Sequence, residues 1–171
     1  MSWALSLLTI VALAGLATWL VLGAVRRTAR RQQHGLPPPP ECPPAPAAAG
    51  DGARGVLLEA AGARYLGTTY APSTVRRFSG HGLLGRGVVG LALDPAGLRV
   101  DRGADGPWCI PAVAIQAAEV ATHHAGKAVY APRVLVVDWR LGGTGLRSGF
   151  VLDEAAAAEW ASRLGTLVAR S

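Results

Sequence analysis

Charge is missing where it would first be expected. From Ser2 to Val25 there is no ionisable side chain, which excludes that stretch as the surface of a soluble fold. Cysteine is scarce as well, with only Cys42 and Cys109 in 171 residues. Two distant thiols exclude a disulfide framework, and in a chain that faces the cytoplasm they read as free. Cys42 also lies too far from the apolar run to be a lipid-attachment site. Catalytic constellations are absent too. No paired carboxylates or Cys/His arrangement stands out, and Ser148-Gly149-Phe150 lacks the flanking glycines of a nucleophile elbow. The adjacent His123-His124 point apart on any regular element and have no Cys or carboxylate at ligand spacing, so no zinc site is expected. These absences argue against an enzyme and against a bound metal or other cofactor.

What the first segment does have is apolar length. Leu5–Val25 (LSLLTIVALAGLATWLVLGAV) is 21 almost wholly apolar residues, and about 20 helical residues cross the hydrocarbon core of a bilayer. Trp3 and Trp19 lie towards its ends, where indoles favour the interface. The rival is a cleaved signal peptide, with Ala12-Leu13-Ala14 as its processing site. Such a peptide needs a basic start and a shorter apolar region, and Met1-Ser2-Trp3 supplies no charge. The reading is therefore an uncleaved transmembrane helix over residues 3–25. Arg26, Arg27, Arg30 and Arg31 come after it, with no basic residue before it. By the positive-inside bias this puts the amino terminus outside and the rest in the cytoplasm of a single-pass cell-membrane protein.

Residues 26–50 read as a basic and Pro-rich linker. Seven prolines fall within 32–50, which makes an extended polyproline spacer, with a PxxP ligand as the other use of such a run. The net charge of +6 divides evenly between the two parts of the chain. Residues 1–50 carry four Arg against one Glu, and 51–171 carry twelve Arg and one Lys against ten acids. The folded part is only mildly basic, so the high pI is no argument for nucleic-acid binding.

Residues 51–171 suffice for one domain. Short apolar stretches recur there: 63–70, 88–93, 98–101, 108–110, 115–121, 128–131, 134–139 and 146–152. Turn chemistry at Asp94–Gly97, Gly103–Gly106 and Gly142–Gly145 breaks them. That spacing predicts an antiparallel barrel or sandwich, although Ala112–Ala121 would equally suit a helical turn. The period changes once. Over 153–170, Asp153 caps a helix whose Ala156, Trp160, Leu164, Leu167 and Val168 share a face. An all-β run closed by one helix is the order of a pleckstrin-homology (PH) barrel.

GARYLGTTYA (62–71), VRRFSGHGLLGRG (75–87), DPAGLRVDR (94–102), WCIPAVAI (108–115), AGKAV (125–129) and DWRLGGTGLRSGF (138–150) occur in that order. With the amino-terminal helix, they resemble a family of single-pass membrane proteins of high-GC bacteria that carry a bacterial PH-like domain. The resemblance implies a PH-like barrel of about seven antiparallel strands capped by one helix. Relatives of this kind are often labelled membrane or export proteins, so a location is implied more firmly than an activity.

GHGLLG (80–85) matches the dinucleotide fingerprint letter for letter. The fingerprint works only between a strand and a helix whose amino terminus meets the pyrophosphate. Here RGVVGLALDPAG comes next, a strand running into a turn, so the match reads as an inter-strand loop and no nucleotide is expected. Arg76, Arg77, His81 and Arg86 make that loop basic. In lipid-binding PH domains the corresponding loop clamps inositol phosphates with K-x(n)-K/R-x-R, a pattern this chain does not meet. A solvated loop and a candidate contact for acidic lipid or a partner both stay open. The function these readings favour is a membrane-tethered adaptor for a protein partner, with an accessory subunit of a transport or export system as the alternative.

Overall fold

A computed structural model describes residues 2–42, 55–128 and 133–169. The first element, α1, runs from Ser2 to His34. Its Ser6–Ala24 portion has a mean hydropathy of 2.2 and is long and apolar enough to cross a membrane. The Thr18 and Thr28 hydroxyls donate back to the carbonyls of Ala14 and Ala24, 2.8 and 3.0 Å away, so neither needs a partner outside the helix. The helix does not end with the apolar run. It continues through the arginines to His34, so residues 26–34, expected to begin a linker, are helical.

The strands are β1 (Leu58–Tyr70), β2 (Gly87–Asp94), β3 (Gly97–Asp101), β4 (Pro107–Pro111), β5 (Ile115–Ala121), β6 (His123–His124), β7 (Lys127–Ala128), β8 (Val134–Leu141) and β9 (Thr144–Val151). Seven form one antiparallel sheet in the order β4-β3-β2-β1-β9-β8-β5, and β6–β7 is a separate two-stranded ribbon. A helix, α2 (Glu154–Val168), closes the fold. This is the expected architecture: mainly β, seven strands in one antiparallel sheet, one helix at the end. The ambiguous segment resolves into both readings, a 3-10 turn at Ala112–Ala114 and then β5. The strand expected over 128–131 falls mostly outside the described residues.

β1 turns the corner between the two halves. Its first half pairs with β2 from Leu58 to Tyr65, and its second half with β9 from Arg64 to Tyr70. The register slips between Ala60 and Ala63 and again between Tyr65 and Gly67. Gly62 (φ 79°) and Gly67 (φ 111°) supply the left-handed backbone at those two slips, which a side chain would strain. Alternation then sets the faces. Val89, Leu91 and Leu93 of β2 point inward, as do Leu135, Val137 and Trp139 of β8. Val134 and Val136 point to the other face and pack with Leu66 in a smaller cluster.

The few aromatics are concentrated in the core. Trp139 stacks on Trp108 at 5.8 Å, and Tyr65 bridges Trp108 (6.0 Å) and Phe150 (5.3 Å). α2 lies across β5 and β8 and buries Ala157, Trp160 and Leu164, with Ala156, Leu167 and Val168 half-buried beside them. Asp153 occupies the cap position, but its side chain makes no capping bond.

The Pro-rich segment is where the fold departs most from the sequence reading. Instead of standing free, its described part lies along the barrel. Leu36 packs against the core, its carbonyl accepts His81 Nε2 at 2.9 Å, and Pro37 abuts Gly142 in the β8–β9 turn. Cys42 and Cys109 are joined by a disulfide, so the reading of two free thiols is corrected. The cause is proximity that spacing could not reveal: the segment doubles back onto β4, where their Cα atoms are 5.2 Å apart. Replacing Trp160, only 2% exposed, with Ala should lower the stability of the full chain by about 3–5 kcal/mol. A chemical-denaturation midpoint equal to wild type would show that α2 does not close the core.

Candidate functional site

A continuous chain of hydroxyls runs through the barrel interior. Trp139 Nε1 donates to Ser148 Oγ at 3.0 Å, Ser148 and Thr68 hydroxyls meet at 2.7 Å, Thr68 and Tyr65 at 2.6 Å, and Tyr65 donates to the Leu83 carbonyl at 2.8 Å. The two ends fix the direction of every bond. An indole N–H only donates and a carbonyl only accepts, so each hydroxyl accepts from the tryptophan side and donates towards Leu83. Burial pushes the Tyr65 phenol far above its ordinary range, and its bond to Thr68 offsets this only in part. Tyr65 is therefore a neutral donor that ties the β1–β2 loop to the core. The chain consists of neutral hydroxyls buried in the interior and ties the strands together. The signal in the sequence is Ser148 between Leu146 and Phe150, a polar residue on an inward-facing row.

The glycine-rich stretch 80–85 lies in the β1–β2 loop, and no α-helix starts there. Its glycines answer to packing. A Cβ at Gly80 would stand 2.6 Å from the buried Phe78 ring, and one at Gly85 would displace the end of the Arg102 side chain. Arg102 itself donates to the Gly82 carbonyl at 2.6 Å.

The four basic residues of that loop do not converge on a common point. Arg76 lies over the Tyr70 ring, 4.7 Å from its centre. His81 holds the Leu36 carbonyl. Arg77 and Arg86 both donate to the Ala125 carbonyl at the β6–β7 turn, and Arg86 Nε also donates to Leu66 O at 3.1 Å. Arg26, Arg27, Arg30 and Arg31 lie on α1.

A second cationic group, which shares Arg86 with the loop, lines a cleft of about 830 Å³ beside the first half of β1. Arg64, Arg86, Lys127 and Arg133 border it, with Asp153 as an acid on its wall. Among the described residues, Arg133 Nε is buried there without a hydrogen-bond partner. The cleft exists because β9 pairs with β1 only from Arg64 onward. Along Leu58–Ala63, β2 occupies one side, and among the described residues no strand occupies the other. Sequence reasoning missed Arg64, Lys127 and Arg133 because they come from three separate elements.

In the β6–β7 ribbon, His124 is fully buried over Gly149, where a Cβ would collide with the imidazole. Its Nε2 donates to the Gly67 carbonyl at 3.1 Å, while Nδ1 has no partner among the described residues. Burial holds its pKa below the usual 6.5, with the Gly67 carbonyl opposing and Arg147 adding to the shift. On the outer face of β8 and β9, Arg147 clasps both Asp138 oxygens at 2.6 Å and reaches Glu119 at 3.4 Å. The Asp138 bonds raise its pKa. Among the described residues no group of three His, Cys, Asp or Glu side chains could hold a metal ion.

Comparison with known families places this geometry. The family model described as bacterial PH domain-like matches residues 39–164, and the chain belongs to that family. The match begins inside the Pro-rich segment and takes in Cys42. Comparison with curated proteins and with solved structures finds no match. PH-like domains are interaction modules, so the cleft, and the strand edge beside it that no described strand covers, are the features to weigh.

The buried polar groups make two outcomes measurable. Thr68→Val keeps the shape of the side chain but leaves the Ser148 proton and the Tyr65 oxygen unpaired, at about 1–3 kcal/mol per orphaned group. Denaturation of the variant should show a loss of about 2–4 kcal/mol; a loss below about 0.5 would mean the hydroxyl chain does not hold the core. For His124 the folded pKa lies below the unfolded one, so the unfolded chain takes up the proton first as pH falls. Stability should be level above pH ~7 and decline below ~6.5 until the folded pKa is passed. His124→Gln should flatten that decline in urea titrations run from about pH 8 to about pH 5.

Proposed function

We propose that this protein is a membrane-tethered adaptor whose barrel takes an extended acidic segment of a protein partner along the first half of β1. The observation that supports the reading is the combination at the cleft: a strand edge with no partner strand among the described residues, flanked by four cations and one acid. A strand adds to such an edge through backbone hydrogen bonds, and acidic side chains alternating along it meet Arg64, Lys127 and Arg133. In this reading α1 is the single-pass anchor. The arginines at its carboxy-terminal end keep the barrel on the cytoplasmic side of the cell membrane and the amino terminus outside.

Acidic lipid headgroups are the weaker partner for this barrel. Arg77 and Arg86 already hold the Ala125 carbonyl and His81 holds the Leu36 carbonyl. Whatever attraction Arg76, Arg77, His81 and Arg86 retain for a bilayer is diffuse and fades with salt.

The test uses the full chain in nanodiscs of neutral lipid, titrated with labelled eight-residue peptides that alternate valine with glutamate, serine or lysine. The glutamate peptide should bind at least tenfold more tightly than the other two, and Arg64→Glu with Arg133→Glu should abolish the preference. Equal binding of all three would sink the acidic-strand reading. Tight, salt-resistant binding to vesicles of one anionic lipid would make the protein a lipid sensor instead. Replacing Leu5–Val25 with an unrelated membrane helix should leave peptide binding unchanged. Loss of binding on that exchange would move the working part into the membrane, as an accessory transport subunit requires.

A further inference from the structure

The stretch Leu36–Cys42 is held at both ends, and the two ends belong to opposite halves of the barrel. Leu36 and Pro37 rest on the β1–β2 loop and the β8–β9 turn through His81 and Gly142. Cys42 is bonded to Cys109 in β4, which lies at the far edge of the sheet. Between them lies Pro37–Pro40, a run that favours a stiff extended conformation. The stretch is thus a strap laid from one half of the barrel to the other, with a single covalent fastening.

That fastening is accessible. Both cysteines are half-buried, and Cys109 alternates with the buried Trp108 and Ile110 so that it faces outward from β4. The arginines at the end of α1 assign the barrel to the compartment where thiols are kept reduced, and disulfides that form there are usually transient or redox-sensing.

We propose that Cys42 and Cys109 form a reversible dithiol–disulfide site that fastens and releases the strap. The proposal rests on the cytoplasmic placement of the barrel. The oxidant is a low-molecular-weight disulfide. One protein thiolate attacks it, forming a mixed disulfide and expelling one small thiolate. The second protein thiolate then attacks the protein sulfur of that mixed disulfide and expels the other. Two protein thiols and one small disulfide become one protein disulfide and two small thiols, and an excess of small thiol runs the sequence backwards. In the oxidised form the strap covers the Cys109 face of β4 and holds the barrel against the end of α1. In the reduced form only the Leu36, Pro37 and His81 contacts remain, and the proline run is free to act as a spacer.

The experiment tracks the full chain, with a compartment-sensitive reporter fused after Ser171, in cells quenched with acid and labelled with a maleimide that adds mass to free thiols. With the reporter active inside, both cysteines should label at rest. Both should lose the label after a pulse of the thiol oxidant diamide and regain it after washout. Permanent protection with the reporter inside would overturn the proposal while leaving the adaptor reading intact. Permanent labelling through the pulse would overturn it equally. A reporter active only outside would defeat the cytoplasmic placement and the proposal together. In purified chain in nanodiscs, hydrogen exchange at Leu36 and Gly142 should quicken at least tenfold on reduction, and Cys42→Ser should match the reduced form. Unchanged exchange would show that the bond does not govern the strap.

Discussion

The barrel depends on one chain of hydrogen bonds, from the Trp139 indole through Ser148, Thr68 and Tyr65 to the Leu83 carbonyl. It joins β8, β9, β1 and the long β1–β2 loop in turn. Because side chains alternate across a strand, a slip of one residue between β1 and β9 would turn Thr68 or Ser148 away from its partner. Apolar side chains tolerate many near-equivalent packings, whereas a hydroxyl in a dry interior has few acceptable neighbours. The aromatic group of Tyr65, Trp108, Trp139 and Phe150 surrounds these hydroxyls, and the hydroxyl chain selects the register in which that core is buried.

The disulfide constrains the molecule at a different level. It spans 67 residues, and closing a loop of that size removes unfolded-chain entropy worth about 4 kcal/mol. It also alters what the amino-terminal helix is attached to. With α1 continuous to His34 and Leu36 already on the barrel, the helix and the domain are separated by a single glycine, Gly35. The arginines then belong to a helix that leads directly onto the barrel, and the spacer suggested by the prolines is taken up, from Leu36 to Cys42, on the barrel surface.

The legible parts of this fold were those written in local periodicity. The apolar helix, the strand rows of β2, β8 and β9, the turn at Asp94–Gly97 and the Ala156–Val168 face of α2 all come from residue spacing. The GHGLLG stretch was legible as a loop because β2, rather than a helix, comes after it. The reason for its glycines was not, since Arg102 and Phe78 reach them only in the fold. The illegible parts required two distant segments to meet. Cys42 and Cys109 gave no sign of pairing, because a Pro-rich segment shows no hydrophobic pattern that would dock it. The cleft residues come from β1, β7 and the start of β8, and each looks like an ordinary surface cation by itself. His124 was read with His123 as one of an adjacent pair. In the structure it is buried on its own, in space that the missing side chain of Gly149 leaves open.

Arg77 and Arg86 reach from the two ends of the β1–β2 loop to the same oxygen, the carbonyl of Ala125, a buried residue with φ of 49°. Two guanidinium groups on one carbonyl act as a two-pronged grip, which makes the loop and the β6–β7 ribbon a single mechanical part. The loop also carries His81, which holds the strap, and the ribbon carries Lys127 at the lip of the cleft. The holder of the proline segment and the lip of the cleft beside β1 thus sit on one hydrogen-bonded assembly.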